Sequence, residues 1–566
     1  MPYQDVSGYP KLIEVTLEDL DTGLESGLFT SVDLVNVGAT SDCSRTREET
    51  DPFLQAYVSR INEVNSTLRA VTELNPDALG IAAALDAERA SGTIRGPLHG
   101  VPILIKNNIA TMDKMSNTAG SFALLGATVP SDSTLASKLR AAGVIILGKA
   151  NLSQWANFRS SNSSNGWSAY GGQTLGAYYP QQDPSGSSSG PGVASSIGLA
   201  FASLGSETSG SILSPSEVNN LVGIKPTVGL TSRYLVIPIS EHQDTIGPMT
   251  RTVRDAAYVL QSIAGKDPED NYTLAQPFDS PPDYVGACNF SAFRGARIGI
   301  PRNLIDPSEE PDSTVLSAFE AAITVMQKAG ATIVDNTNIT ADALDQYNNG
   351  NSSGNVLDAD FVSDLPNLYL SKLTSNPQNI NDLADLSNFT HTFPPEDYPD
   401  RDTAVWDESL DLGYGNDSPE FYEAYQTNLR ISGPEGITGL LKNFSLDALV
   451  LPTDFAPGLP ALLGSPVVTV PLGFYPANTT VVHSKRNLVE TAPNIPFGIS
   501  FLGDKWSEAS LIGFAYAFEQ RTMVRDKVQP YLVPSTELVD VVGKDNSTNA
   551  TMSISKRSYG GARARM

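Results

Sequence analysis

The chain has 566 residues, and its 63 acidic residues outnumber its 37 basic residues, which gives a net charge of -26 at pH 7. An acidic surface repels phosphate groups, so the composition argues against a nucleic-acid partner. No apolar run approaches the roughly 18 residues that cross a bilayer, and no membrane span is predicted. Two cysteines and four scattered histidines form neither a four-thiolate zinc site nor an HExxH motif, so we expect no metal.

The N-terminus lacks the basic and apolar regions of a signal peptide. The sequence nevertheless contains 13 N-x-S/T sequons among 35 asparagines, where chance would give about six. We therefore expect an extracellular, secreted glycoprotein whose signal peptide is absent from this sequence. A cytoplasmic protein is the alternative.

The first predicted helix is divided by a polar segment. Thr30 and Asp33 fit a capping box, with Asp in place of the usual Glu. If residues 37–55 are removed, apolar positions continue at helical spacing across the join, at Val32, Val35, Tyr57, Ile61 and Val64. Pro52 lies within the segment and would break a helix. We therefore predict that 36–56 is an insertion.

Two interpretations of this insertion remain open. Residues 37–55 occupy a whole number of codons. The codon of Val37, the first residue, begins with GT, and that of Gln55, the last, can end in AG, the letters that bound an intron. We therefore interpret the segment as a retained intron or, failing that, as an exposed insertion. Alternatively, it is a genuine loop held by a disulfide bond between Cys43 and Cys288.

Strand and helix patterns alternate along the chain. Residues 100–106 form a short apolar run that ends in a charge, as a buried strand would. Asp132 or Ser133 can cap a following helix, and the apolar run 144–147 comes next. The same order recurs with a helical face over 316–326 and a strand over 331–334. This alternation predicts an α/β fold, with a large mixed, mostly parallel β-sheet sandwiched by helices.

We expect one large domain over residues 1–540. Residues 336–420 are rich in Asn, Asp, Pro and Ser, which predicts a variable region, either a weakly structured surface insertion or a cap on the substrate side. Residues 541–566 contain little apolar material and end in basic residues, so a disordered tail is predicted.

The segment 185–216 contains 12 serines and 6 glycines. Such a composition can mark a flexible linker. Residues 193–205, however, are apolar enough to predict a buried helix of small residues. Hydroxyl-rich turns on either side of that helix could present a nucleophilic serine beside backbone N–H donors.

A nucleophilic serine needs a base. The sequence GSSSG at 186–190 fits a GxSxG elbow with Ser188 as nucleophile, but His391 and His483 lie in polar stretches and are poor partners. A lysine can act instead when burial keeps it neutral. Lys106 closes an apolar run and has that setting.

Several motifs resemble the amidase signature family, the serine hydrolases with a Ser–cis-Ser–Lys triad. They cover roughly residues 60–530 apart from the variable middle, and their details are most similar to the branch found in filamentous fungi. The motifs are GPLHGVPILIKNNI (96–109), the serine-rich segment, VGIKPTVGLTSR (222–233), DTIGPMTRTVRDAA (244–257), DALVLPT (447–453), GSPVVTVPLGF (464–474) and IPFGISFLG (495–503).

The resemblance implies a triad of Lys106, Ser187 and Ser211, with a cis peptide bond at or beside Ser187. Ser211 would be the nucleophile that forms an acyl-enzyme, and Ser187 would relay its proton to Lys106. It further implies a small-molecule amide substrate, no cofactor, and an oxyanion hole formed by the backbone of Thr208, Ser209 and Gly210.

The chain departs from the family pattern around the nucleophile. Glu207 replaces the family Asp, Ser209 replaces a Gly, and Leu213 replaces an Arg, so the usual Asp–Arg pair cannot form. Asn107 also replaces an Asp beside the lysine.

The predicted function is therefore hydrolysis of a carbon–nitrogen amide bond. Two alternatives are a catalytically silent, secreted glycoprotein that uses the same fold for binding, and a tRNA-dependent amidotransferase subunit. The sequence predicts neither the substrate identity nor the oligomeric state.

Overall fold

The computed structural model describes residues 8–35, 56–306 and 313–542. The predicted insertion, apart from Ala56, and the predicted tail from residue 543 onward lie outside the described residues, as does Cys43. Within the described part of the chain, Cys288 is half-buried and forms no disulfide bond.

The structure contains fifteen strands in the described residues. In chain order they are β1 (Val71–Leu74), β2 (Pro102–Lys106), β3 (Ile145–Ala150), β4 (Trp167–Ser168), β5 (Gly172–Gln173), β6 (Ala202–Glu207), β7 (Val222–Lys225), β8 (Thr245–Thr250), β9 (Arg297–Ile300), β10 (Thr332–Asp335), β11 (Ala448–Pro452), β12 (Val467–Phe474), β13 (Val482–His483), β14 (Val489–Thr491) and β15 (Pro496–Leu502).

Eleven of these strands form one sheet, in the order β1-β3-β2-β6-β8-β7-β12-β15-β11-β9-β10. Neighbours run parallel in the blocks β3-β2-β6 and β11-β9-β10. The other neighbours in this sheet run antiparallel. The predicted large mixed sheet is therefore confirmed.

Helices surround this sheet. In chain order they are α1 (Leu17–Glu25), α2 (Ser31–Val35), α3 (Ala56–Leu68), α4 (Ala78–Ala90), α5 (Thr134–Ala141), α6 (Ser189–Ser196), α7 (Leu213–Val218), α8 (Val253–Ile263), α9 (Thr314–Lys328), α10 (Ala341–Asn349), α11 (Ser352–Asp364), α12 (Leu383–Thr392), α13 (Ala404–Asp411), α14 (Pro419–Ser432), α15 (Ile437–Asn443), α16 (Gly458–Leu463) and α17 (Glu508–Thr522). Within the described ranges, no helix is both long and apolar enough to cross a membrane.

Both faces of the sheet are buried, as β12 illustrates. Val468 and Val470 lie in an apolar cluster with residues of α8, α9 and α17. Their neighbour Val467 lies in a different cluster, with residues of α15 and α16. Because side chains alternate between the two faces of a strand, helices must cover the sheet on both sides.

Local sequence signals located several elements well. Thr30 and Asp33 form the predicted capping box before α2, and Ser133 caps α5. The predicted helix over 193–205 is wrong, because α6 ends at Ser196 and β6 begins at Ala202. Gly198 lies between them with φ +67° and packs against the backbone of Leu12, so the chain turns there instead of continuing as a helix.

The region 336–420 is not weakly structured. It contains α10 to α13, and its apolar residues pack inward although they are few. Trp406 is fully buried and donates its indole N–H to the carbonyl oxygen of Phe158 at 2.5 Å. Phe361 is also fully buried, and its ring lies against Phe158. The polar composition of this region reflects its outer surface and its helix caps.

Candidate active site

Lys106 is the last residue of β2, which lies between β3 and β6 in the interior of the sheet. The three preceding residues are fully buried, and the strand carries the lysine into the core, where it is fully buried too. Its Nζ lies 2.7 Å from Ser187 Oγ, 2.9 Å from Ser206 Oγ and 3.1 Å from the carbonyl oxygen of Ser206. None of these atoms belongs to a carboxylate, so a protonated Lys106 would have no directly bonded counter-charge.

Burial lowers the pKa of Lys106 from 10.5 to about 7, although the nearby Asp244 and Glu207 act in the opposite direction. A neutral amine has two N–H donors and one lone pair. The carbonyl and hydroxyl oxygens of Ser206 can accept both N–H groups, which leaves the lone pair for the Ser187 hydroxyl. The contacts therefore suit a lysine that accepts a proton from Ser187.

Ser187 lies in the turn that leads into α6. The peptide bond between Gly186 and Ser187 is cis, as the family resemblance implied. Ser187 is fully buried, and its carbonyl oxygen accepts the N–H of Ser153 at 3.1 Å. The structure therefore directs the Ser187 side chain to the lysine and fixes its backbone from the other side.

Ser188, the nucleophile of the alternative GxSxG interpretation, is fully buried. Its hydroxyl donates to the carbonyl oxygen of Ser206 at 3.0 Å and accepts the N–H of Ser206 at 3.2 Å. Within the described residues, no histidine contacts it. Ser188 thus joins the turn before α6 to the end of β6 and has no base beside it.

Ser211 lies in the nucleophile loop, residues 207–213, which connects β6 to α7. It is 8% exposed. Its hydroxyl makes no hydrogen bond within the described part of the chain, so the structure does not show a side-chain bond between Ser211 and Ser187. The backbone joins the two segments instead, since the N–H of Ser188 donates to the carbonyl oxygen of Ser211 at 3.2 Å.

Glu207 holds the nucleophile loop. Its carboxylate accepts the backbone N–H of Gly210 at 2.8 Å, of Ile212 at 2.7 Å and of Leu213 at 3.0 Å, on both sides of Ser211. The missing Asp–Arg pair is therefore replaced by a longer acid that bonds directly to the backbone. Lys225 lies near enough to lower the pKa of Glu207, but burial outweighs it, and the pKa is raised.

These bonds affect the predicted oxyanion hole. The N–H of Gly210 already donates to Glu207. Among the described residues, the N–H groups of Thr208, Ser209 and Ser211 make no hydrogen bond and remain open donors. Ser209 is exposed and has a negative φ, so its Cβ is accommodated without strain. Gly210 has φ +79°, which explains why glycine is kept at that position.

Three residues at the site were missed by the sequence interpretation. Ser206 bonds to Lys106 through two oxygens, and Asn108 donates its side-chain N–H to Ser206 Oγ at 2.9 Å. Asp244 accepts the hydroxyl of Thr208 at 2.6 Å. Asp244 lies in a motif that the resemblance included, but its contact with Thr208 depends on the tertiary fold.

A cavity of about 740 Å³ adjoins these segments. Ser185 and Ser214 line it, and they flank the Ser187 turn and the nucleophile loop respectively. The lining contains no lysine, arginine or histidine from the described residues. Its acidic residues are Asp183, Glu217, Asp454 and Glu490, and its aromatic residues are Phe455, Tyr475 and Phe497. No group of three or more His, Cys, Asp or Glu side chains suited to a metal ion occurs in the described ranges.

Comparisons with known proteins agree with this architecture. The Amidase family model matches residues 53–512. A protein of Arthroderma benhamiae that bears an amidase name is 55% identical over 94% of this chain and 90% of its own. A glutamyl-tRNA(Gln) amidotransferase subunit from Thermosynechococcus vestitus is 30% identical over 84% of this chain and 96% of its own.

Among solved structures, the peptide amidase of Stenotrophomonas maltophilia matches with a TM-score of 0.77 and 35% identity, covering 92% of this chain and 99% of that protein. The fold is thus that of the amide-hydrolysing enzymes. The chain belongs to the amidase family, which confirms the resemblance seen in its motifs.

We expect hydrolysis to become faster as pH rises through about 7, the pKa of Lys106. Below that pKa the neutral fraction of the lysine falls about tenfold per pH unit, so the rate at pH 5 should be about 100-fold below its plateau. The measurement is kcat/KM against pH with an uncharged amide, whose own ionisation contributes nothing.

The control for this profile is Lys149→Met. Lys149 is also fully buried, and burial lowers its pKa to about 7, but it bonds to Ile109 and Asn117 and not to the serines. The variant should keep the midpoint of the profile. A maximum near pH 4 in the unmodified enzyme would contradict a lysine base.

Proposed function

We propose that the protein hydrolyses a carbon–nitrogen amide bond through an acyl-enzyme, with Ser211 as nucleophile, Ser187 as proton relay and Lys106 as base. The 2.7 Å contact between Lys106 and Ser187, with the lysine buried and its pKa near 7, carries this assignment. A surface lysine would be protonated at neutral pH and could not accept a proton.

In the first half-reaction, Ser211 Oγ attacks the amide carbonyl carbon while its proton passes to Ser187 Oγ, whose own proton passes to Lys106 Nζ. The carbonyl π electrons move to its oxygen, and the open N–H groups of Thr208, Ser209 and Ser211 would stabilise the oxyanion. When the tetrahedral intermediate collapses, the carbon–nitrogen bond breaks, and the leaving nitrogen takes a proton from Ser187, which recovers one from Lys106.

In the second half-reaction, water attacks the ester formed with Ser211. Its proton follows the same route to Lys106, and the collapse of the second intermediate returns a proton to Ser211 Oγ. The carboxylic acid product then leaves. No metal or cofactor is required for either step.

Two other functions fit the site less well. A silent binding protein would not need a buried lysine bonded to the relay serine, which is costly to maintain in the core. The relative from Thermosynechococcus raises a second candidate, a subunit of a tRNA-dependent amidotransferase. The net charge of -26 disfavours direct contact of this chain with tRNA. Co-purification of tRNA with the protein would support the amidotransferase function instead.

We expect Ser211→Ala and Lys106→Ala each to abolish hydrolysis while the protein stays folded. Each variant removes a group that the chemical step needs. Ser187→Ala should retain at most a trace of hydrolytic activity, since a water molecule could relay the proton. The measurements are amide hydrolysis and covalent labelling by a fluorophosphonate, with circular dichroism as the folding control. Ser195→Ala, which removes a buried hydroxyl that bonds only to Ser203 among the described residues, is the matched control and should retain labelling. A wild-type rate in Ser211→Ala would disprove the assignment.

We also propose that the acidic cavity selects substrates by charge. Its lining includes four acidic residues and no cation of the described residues. Desolvation raises the pKa of Asp183, Asp454 and Glu490, so the charge of the cavity becomes more negative as pH rises. A substrate with a negative charge in this cavity would be repelled, whereas an amine or an apolar group beside Phe455, Tyr475 and Phe497 would fit.

The charge proposal is tested with the N-acetyl amino acid amides of lysine, norleucine and glutamate. We expect kcat/KM for the glutamate compound to be about tenfold or more below that for norleucine, with a smaller difference at high salt. The variant Glu490→Gln should bring kcat/KM for the glutamate compound closer to that for the norleucine compound. Equal rates for all three amides would rule out selection by this cavity.

Secretion and glycosylation are further proposals, supported by the distribution of the sequons. Among the described residues, eight sequon asparagines are exposed: Asn162, Asn271, Asn289, Asn338, Asn351, Asn388, Asn443 and Asn478. Three others are not exposed, and their side-chain N–H groups donate within the fold. Asn151 is fully buried and donates to three oxygens, Asn65 donates to Val71, and Asn416 donates to two carboxylates.

We therefore expect glycans at exposed sequons and none at Asn65, Asn151 or Asn416. The protein should be produced through a eukaryotic secretory pathway behind an added signal peptide. Enzymatic deglycosylation in heavy-oxygen water then marks each occupied asparagine for mass spectrometry. Active, folded protein with a glycan at Asn151 would contradict this assignment, and complete absence of glycans would contradict the proposed glycoprotein.

A further inference from the structure

The nucleophile loop is connected to the region 336–420 through a third segment, the loop 239–244. At one end of this connection, Asp244 accepts the hydroxyl of Thr208 at 2.6 Å. The other oxygen of Asp244 accepts the backbone N–H of Ile239 at 2.8 Å and of Ser240 at 3.1 Å. Asp244 therefore fixes the position of Thr208 relative to the loop 239–244.

At the other end, Asp360 of α11 holds the same loop. Its Oδ2 accepts the hydroxyl of Ser240 at 2.5 Å, and both of its oxygens lie 3.0 Å from Nδ1 of His242. Ser240 and Asp360 are fully buried. The imidazole of His242 is further enclosed by the rings of Tyr272, Phe421 and Tyr425.

The side chain of Asp360 is itself held in place. Asn416 donates to Asp360 and to Asp364 at 3.0 Å each, and Asp364 accepts the backbone N–H of Glu241 at 2.6 Å. Hydrogen bonds therefore run without interruption from Asn416, through Asp360 and the loop 239–244, to Thr208. Thr208 is one of the open backbone donors beside Ser211.

We propose that Asp360 is a positioning residue for catalysis: it orders the loop 239–244 and, through Asp244, sets the orientation of the Thr208 peptide toward the oxyanion. The inference rests on the proposed function, since it assumes that an oxyanion forms beside Ser211. Asp360 touches neither Ser211 nor the lining of the 740 Å³ cavity, so it acts only through other residues.

The physical basis is the precision that an oxyanion donor requires. Loss of one such donor costs about 100- to 1,000-fold in kcat, and a displacement of about 1 Å near the reacting atoms can cost about 100-fold. Charge-assisted bonds in a dry interior are short and directional. Replacing the Asp360 carboxylate by an amide removes acceptor capacity toward Ser240 and His242 and should loosen the loop without emptying the core.

The test compares Asp360→Asn with Asp358→Asn. Asp358 lies on the same helix and accepts the hydroxyl of Ser409 at 2.7 Å, a similar bond that joins α11 to α13 and does not reach the loop 239–244. We expect Asp360→Asn to lower kcat and the rate of fluorophosphonate labelling at Ser211 by about 10- to 100-fold, with KM changed less than about threefold. Asp358→Asn should leave all three quantities near wild type.

A double-mutant cycle tests the route. Thr208→Val removes the hydroxyl that Asp244 accepts and keeps the side-chain shape. If Asp360 acts through Thr208, the two changes together should cost little more than the larger one alone. Three results would each overturn the proposal. The first is full additivity of the two losses in kcat, the second is a wild-type labelling rate in Asp360→Asn, and the third is a loss in Asp358→Asn equal to that in Asp360→Asn.

The outcomes also separate this proposal from the proposed function. Labelling reports the nucleophile and its oxyanion donors whether the natural substrate is an amide or an ester. Wild-type protein that labels but does not cleave amides would contradict the amidase assignment and leave the effect of Asp360 measurable. If Asp360→Asn does not fold, Ser240→Ala breaks the same connection from the loop side and carries the same expected loss.

Discussion

The proposed active site depends on a lysine that is buried without a directly bonded counter-charge from the described residues. Among the described residues, the Nζ of Lys106 hydrogen-bonds only to serine oxygens, and burial lowers its pKa to about 7. The two carboxylates that act against this shift are Glu207 and Asp244. Both accept backbone N–H groups and do not bond to the lysine directly. A salt bridge to either would hold Lys106 protonated and remove the base.

The same two carboxylates determine the shape of the nucleophile loop. Glu207 bonds to the backbone on both sides of Ser211, and Asp244 bonds to the hydroxyl of Thr208. In the proposed mechanism, the basicity of Lys106 and the geometry of the oxyanion donors are therefore coupled through shared residues. The Asp–Arg pair that the resemblance implies is absent here, and Glu207 bonds directly to the backbone of the loop.

The fold class and several of its elements could be predicted from local patterns, because those patterns reflect local physics. An apolar run that ends in Lys106 indicates a buried strand, and Ser133 marks a helix start. The helix expected over 193–205 was wrong because small apolar residues favour helix and buried strand alike, and only the turn at Gly198 separates the two. The composition of 336–420 was misleading for a different reason: exposed asparagines and aspartates outnumber the few residues, such as Trp406, that anchor its helices.

The contacts of Asp244 and Asp360 could not be predicted in this way. Ser240 and Asp360 are 120 positions apart in the chain, and no periodicity links them. Asp360 also lies in the variable region 336–420, which contains none of the motifs shared with the family. The proposed catalytic residues come from the shared motifs, whereas the bonds proposed to hold the oxyanion turn extend into the variable region. Two chains with the same triad can therefore differ in how rigidly that turn is held, and such a difference in rigidity would change the catalytic rate without any change in the triad.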